Sequence, residues 1–182
     1  MIYKLNLICT IWMLAGSPDL SYSDDSINEN RIDRKITLTG QQKINACSYT
    51  YDVIEAAYEH DIDPWKLFAL IYVESTWTLN AVSIVGACGL TQIVPKYHRD
   101  KYPGLTCKDL HDDPRNAIHL TAAIIKEHYT KFNSYARAFE AYNAGPKRVV
   151  ENTVPTRTIK YRNKIINLSV FLRQTYYHLL GE

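Results

Sequence analysis

The sequence predicts an all-α or mainly α single domain, and three observations carry that prediction. At 182 residues, with 46% hydrophobic and 22% charged side chains, the chain can bury one good core and is short for two. From about residue 44 onward its apolar residues recur at three- and four-residue spacing, and no segment of strand length alternates. Between residues 78 and 112 that periodicity stops. There Gly86, Gly89, Pro95, Pro103 and Gly104 divide the chain into an irregular loop or a small β ribbon, with room for one short helix after Leu90.

In residues 1–23, Lys4 precedes the apolar stretch Leu5 to Ala15, shorter than the ~20 residues that cross a bilayer but of signal-peptide length. Ser21 and Ser23 supply small residues before a cut ahead of Asp24. This reading predicts export to the periplasm, the cell envelope or beyond, without a stable membrane span; a short buried helix or a membrane anchor is the competing reading. Residues 24–43 read as a polar linker, and residues 44–182 as the domain proper. Ile44 to His60 carries Ile44, Cys47, Tyr51, Ile54, Ala57 and Tyr58 at helical spacing. Asp63-Pro64 gives an N-cap and a first-turn proline for a helix to about Thr76, apolar on nearly every face and so central and buried. Asp112-Asp113-Pro114 opens a helix to about Phe132 with Ala117, Leu120, Ile124 and His128 on one side. Ser134 caps another, Tyr135 to Asn143, stopped by Gly145-Pro146, and a last helix runs from about Tyr161 to Leu180.

Charge and cysteine usage narrow the function classes. The 21 basic and 19 acidic residues are mixed along the chain, which argues against a nucleic-acid partner, since such domains gather a basic face. Removal of residues 1–23 leaves Cys47, Cys88 and Cys107, an odd number for an oxidising compartment. Cys88 and Cys107 flank the irregular stretch, and a bridge and a pair of free thiols are both open. The six histidines are scattered without metal-ligand spacing, so neither a metal nor another cofactor is expected.

Glu74 stands out because it ends an apolar run. Burial disfavours a charged carboxylate, and so does the negative end of a helix dipole, so both raise its pKa. A carboxylic acid kept protonated near neutral pH is a general acid of the kind that glycosidic cleavage needs. The plain alternative is a glutamate that bends out to solvent. The residues after Glu74 favour the acid: Ser75, Ser83, Gly86, Gly89 and Gln92 make a wall where glycines let a ligand approach the backbone and hydroxyl and amide groups can bond a sugar.

Three ordered motifs, Glu74-Ser75, the run Ser83 to Gln92 with Gly86-Ala87-Cys88-Gly89-Leu90, and Ala141-Tyr142-Asn143-Ala144-Gly145, resemble the soluble lytic transglycosylase (SLT) catalytic domain family. Pro155-Thr156-Arg157-Thr158 leading to Tyr161 is similar to that family's closing segment, and the resemblance covers about residues 50 to 180. It implies a lysozyme-like fold and cleavage of the β-1,4 bond between N-acetylmuramic acid and N-acetylglucosamine in peptidoglycan, with closure of a 1,6-anhydro ring. Glu74 would then be acid and base. Ser83 and Gln92 would position the sugar, Tyr142 would hydrogen-bond near Glu74, and Ser75, Gly86, Gly89, Asn143 and Tyr161 would shape or support the cleft.

Two positions depart from the family pattern. Thr91 replaces the usual Met, which would put a small hydroxyl in the sugar groove, and Glu140 replaces a small apolar residue. Should Glu140 reach the cleft, a two-carboxylate hydrolysis like that of goose-type lysozymes becomes available, although two residues of separation turn it about 200° from Tyr142. Trp77 and Tyr97 are the aromatic candidates for the groove. A muramidase and a non-catalytic glycan-binding assembly factor are the rival readings. The expected partner is the peptidoglycan strand, met by a monomer. A minimal domain with an export signal further suggests local wall opening for a secretion machine, a conjugation machine or a phage particle.

Overall fold

The computed structural model describes residues 2–14, 21–23 and 33–181. The expected cut ahead of Asp24, and residues 24–32 of the expected linker, lie outside the described residues. The architecture is mainly α-helical, as the periodicity predicts. Its elements are α1 (Ile2–Met13), β1 (Ser21–Ser23), β2 (Asp33–Lys35), α2 (Gly40–Ser48), α3 (Thr50–Glu59), α4 (Pro64–Ser75), α5 (Cys107–Asp112), α6 (Pro114–Phe132), α7 (Tyr135–Ala144), α8 (Pro146–Val150) and α9 (Thr156–Leu180).

Helix α4 is the axis of the molecule. Asp63 caps it by accepting from the Trp65 amide, Pro64 occupies its first turn, and Leu67, Phe68, Ala69, Leu70 and Ile71 are all buried. Helix α9 lies along α4, α7 packs on both α6 and α9, and α3 packs on α4 and α6. The stripe predicted on α6 is the buried one, Ala117, Leu120, Ile124 and His128 included.

Several boundaries differ from the periodic reading. The segment from Ile44 to His60 is two helices rather than one, broken at Tyr49. Ile44, Tyr51 and Tyr58 face solvent while Ala46, Val53, Ala56 and Ala57 enter the core. The break lets α2 turn its polar side toward the end of α4 while small residues of α3 allow close packing on α6. Residues 40–43, read as linker, open α2: Thr39 and Gln42 form a reciprocal capping box. Ile36 and Leu38 are buried ahead of it. Helix α9 begins at Thr156, five residues before the predicted start, because Pro155 sets extended backbone at its N-cap and does not interrupt it.

Residues 78–106 are the irregular stretch, with a single turn of 3₁₀ helix at Pro95–Tyr97 and two isolated bridges, Val82 to Cys88 and Cys88 to Ile93. The two-stranded antiparallel pair among the described residues is instead β1–β2. A second, smaller core of Cys88, Ile93, Leu110, Ala117, Leu120 and Ile124 supports the stretch, and Cys88 and Cys107 are bridged with Cα atoms 5.5 Å apart. The bridge closes the loop that the two cysteines flank in sequence.

Helix α1 is packed against α2, α3 and α9, with Ile8, Ile11 and Trp12 buried. Cys9 is bridged to Cys47, so Cys47 is not left over while α1 is present. Trp12 lies against Phe68, Tyr72 and Trp77, with ring centroids 5.3–6.2 Å apart. A cut ahead of Asp24 would remove that ring and return Cys47 to a free thiol. Among the described residues no helix is long and apolar enough to cross a membrane.

Candidate active site

Glu74 is the next-to-last residue of α4, half-buried at its surface but with its carboxyl set among protein atoms. Burial raises its pKa to about 7, and a hydrogen bond from Tyr161 opposes part of that rise. The carboxyl is thus the weakened acid that its sequence position predicts, with desolvation as the main cause.

The turn after Glu74 determines where the acid points. Thr76 and Trp77 both have positive φ, 50° and 63°, in a region that branched and bulky side chains avoid. Neighbouring side chains hold them there. The Gln42 amide donates to the hydroxyls of Thr76 and Thr78 at 3.0 and 3.1 Å, and Asn45 Nδ2 donates to the Trp77 carbonyl at 2.9 Å. Ser75 Oγ accepts from the Thr78 amide at 3.3 Å. Ser75 thus closes the turn, and Trp77, predicted for the groove, is a fully buried core ring. Tyr97 is exposed at the end of its 3₁₀ turn.

The wall expected from Ser83 to Gln92 is a folded loop. Ser83 Oγ accepts from the Ala87 amide at 3.0 Å, which leaves its own hydrogen to donate to a ligand. Gln92 Nε2 donates to the carbonyls of Ala81 and Gly89, both at 3.0 Å, so its amide oxygen is the part left for a ligand. Gly86 and Gly89 have φ of 81° and 72°. A Cβ at Gly89 would meet the Leu110 carbonyl oxygen at 2.9 Å, whereas one at Gly86 would meet open space. Thr91 does not face the groove. It is fully buried and its hydroxyl has no hydrogen-bond partner, which corrects the reading of a changed sugar contact.

Opposite the loop stand α7 and α9. Tyr161, expected to shape or support the cleft, donates its hydroxyl to Glu74 Oε1. Tyr142 instead donates to the Thr91 carbonyl at 2.7 Å, with Thr121 Oγ1 at 3.4 Å, and packs against both cores. Burial first, and then the nearby Glu74, push both tyrosines well above the ordinary phenol range, so they are neutral donors. Asn143 accepts from Thr158 Oγ1 at 2.7 Å and so joins α7 to α9. Glu140 does not enter the site as a second acid: it is buried in an ion pair with Arg162.

Sequence reasoning misses Gln42, Asn45 and Arg162, and names Thr158 only as part of the closing segment. The Thr39-x-x-Gln42 spacing could have marked the start of α2, but nothing in it announces the contact with Thr76 across 34 positions. Two groups among the described residues gather ligand-type side chains: Cys88, Cys107 and His111, and Glu59, His60 and His119. The first has both sulfurs in the disulfide, and the second sits between α3 and α6 among none of the site residues. A surface concavity of about 600 Å³ lined by Lys101, Tyr102, Leu105, Asp109 and Asn116 also contains none of them.

Comparison with known proteins gives a family and a fold. Residues 52–165 match the family model described as the transglycosylase SLT domain. The 70 kDa soluble lytic transglycosylase of Escherichia coli superposes with a TM-score of 0.62 at 24% identity, over 69% of this chain and 24% of that one. An inactive Glu-to-Gln mutant of the lytic transglycosylase Slt of Pseudomonas aeruginosa gives 0.60 at 26% identity, over 70% and 24%. A complex of a 70 kDa soluble lytic transglycosylase with bulgecin A gives 0.62 at 22% identity, over 78% and 26%. The chain thus spans about a quarter of the length of these solved structures, and the likeness shows a shared lysozyme-like fold.

Proposed function

The chain belongs to the transglycosylase SLT domain family, and from that membership we propose that it is a peptidoglycan lytic transglycosylase with Glu74 as its single acid and base. The observation that carries the reading is the Glu74 carboxyl itself, buried to a pKa of about 7 and held by the Tyr161 hydroxyl. At that pKa a large fraction is protonated near neutrality, ready to give its proton to the leaving glycosidic oxygen as the bond to C1 breaks. The resulting carboxylate then takes the proton of the muramic 6-hydroxyl, whose oxygen closes onto C1. Glu74 ends in the state in which it began, and no water enters the product.

The Tyr161 bond serves both halves. It orients the carboxyl and stabilises its charged form without supplying a second acid. Hydrolysis by two carboxylates needs a partner for Glu74. Glu140, the candidate raised by the sequence, is engaged with Arg162 instead, which favours the single-acid route. Ser83 and the Gln92 amide oxygen face the sugar and its acetamido group in this proposal, with Tyr142 and Asn143 supporting the helical wall.

The Cys88–Cys107 bridge suits an oxidising compartment and so supports export. The biological setting we propose is local opening of the wall for a secretion or conjugation machine or a phage particle.

The test is mass spectrometry of muropeptides released from purified peptidoglycan. Products lighter by one water than the reducing-end sugars are expected, and reducing ends would support the muramidase reading. Glu74→Gln should lower the rate by about 10²–10⁴-fold while the helical circular dichroism is kept. Full activity in that folded variant would overturn the assignment, and intact glycan binding without turnover in the wild type would favour the assembly-factor reading.

A further inference from the structure

Helices α7 and α9 are joined by two side-chain pairs in one seam. Glu140 and Asn143 are three residues apart on α7, and their partners Arg162 and Thr158 are four apart on α9, so each pair sits one turn from the other on facing surfaces. Tyr161 lies inside the α9 interval. Its hydroxyl reaches Glu74, while the residue before it in the seam and the residue after it are both tied to α7. Glu140 is buried although the Arg162 side chain remains partly exposed, and the Arg162 Nε also donates to Asn163 at 3.2 Å.

We propose that Glu140, through Arg162, is a positioning residue that sets the reach of the Tyr161 hydroxyl onto Glu74. The inference rests on Glu74 being the catalytic acid, but its test does not require turnover. A buried carboxylate is stable only while paired, so Glu140 and Arg162 resist the sliding or rotation of α9 that would lengthen the Tyr161 bond. An apolar contact at the same place would tolerate such movement. Among the described residues, the titratable groups facing the Glu74 carboxyl are Tyr161 from α9 and Tyr142 from α7, and both stay neutral through the range concerned.

The sign of the effect separates positioning from plain electrostatics. Glu140→Gln removes a negative charge and so leaves Arg162 uncompensated, and that change in the field would lower the pKa of Glu74. Loosening the Tyr161 bond would raise it, because that bond favours the charged carboxylate.

The experiment is a carbon-13 NMR titration of the Glu74 carboxyl, without substrate, in the wild type, Glu140→Gln, Tyr161→Phe and the double variant. The expected result is a rise on the order of half a pH unit in Glu140→Gln, smaller than that of Tyr161→Phe and absent when added to it. A fall, no change, or a rise that persists in the Tyr161→Phe background would overturn the proposal. Thr158→Val opens the other pair with no change of charge. It should move Glu74 in the same direction, and if Glu140→Gln does not fold, Arg162→Lys, which alters the Glu140 pair without changing its charge, decides the question: an unmoved Glu74 there would overturn the proposal. If the wild type cleaves no peptidoglycan while these shifts appear, the function is wrong and the positioning stands.

Discussion

The two sides of the acid are built by different means. On one side, residues 76–92 form a wall of bent backbone in which Thr76, Trp77, Gly86, Gly89 and Gln92 all take positive φ, held by side-chain bonds from α2 and by one disulfide. On the other, Tyr142, Asn143 and Tyr161 project from regular helices fastened side by side. The loop wall holds its bent backbone at a conformational cost, while the helical wall spends its contacts on the geometry of one carboxyl. Perturbing the first should therefore appear in stability, and perturbing the second in the titration of Glu74.

The largest stability effect is expected at Gly89. An alanine there must adopt a φ of 72° and place its Cβ 2.9 Å from a backbone carbonyl that cannot rotate away. Gly86→Ala meets a similar φ in open space. Denaturant unfolding should show a loss of about 1 kcal/mol for Gly86→Ala, from backbone conformation alone, and about 3 kcal/mol for Gly89→Ala. Equal losses would mean that the loop yields at Leu110 and that close packing does not define this wall.

On the helical side, Tyr161→Phe should keep the helical fold and move the acid. The lost bond favoured the carboxylate, so the Glu74 pKa rises from about 7. A hydrogen bond to a charged group contributes about 1.5–3 kcal/mol, which corresponds to a rise of roughly 1–2 units. In the proposed mechanism a protonated Glu74 is needed for the first step, so wild-type cleavage should fall as pH rises through about 7. The variant's alkaline limb should lie higher even if its maximal rate is lower. An unmoved limb would separate Tyr161 from the catalytic proton.

This difference between the walls also governs what could be read in the sequence. The ends of α4, α6 and α7 carry local signals: Asp63-Pro64, Asp113-Pro114, and Ser134 with Gly145. The raised pKa of Glu74 was legible because an acid closing an apolar helix has a local physical consequence. The choice between Tyr142 and Tyr161 was not, because both sit on amphipathic helices and only the docking of α7 and α9 decides which hydroxyl reaches the acid. Trp77 was misplaced for a similar reason: its neighbours in sequence are polar, but Phe68 and Trp12 surround it in space. The break at Tyr49 lacks glycine or proline and arises from the different surfaces that α2 and α3 pack against.

Thr91 is where the two walls meet, and it gives the smallest and most specific test. Its carbonyl receives the Tyr142 hydroxyl at 2.7 Å, tying the loop to α7, whereas its own hydroxyl is buried without a hydrogen-bond partner. Valine has nearly the same shape and keeps the backbone carbonyl, so Thr91→Val removes the orphaned hydroxyl and leaves the tie in place. Stability should rise by about 1 kcal/mol in denaturant unfolding, with the Glu74 titration unmoved. A loss of stability would show that the hydroxyl is hydrogen-bonded in solution. A shifted Glu74 titration would show that the two walls are coupled through this position, so that the division between a wall governing stability and a wall governing the acid would have to be abandoned.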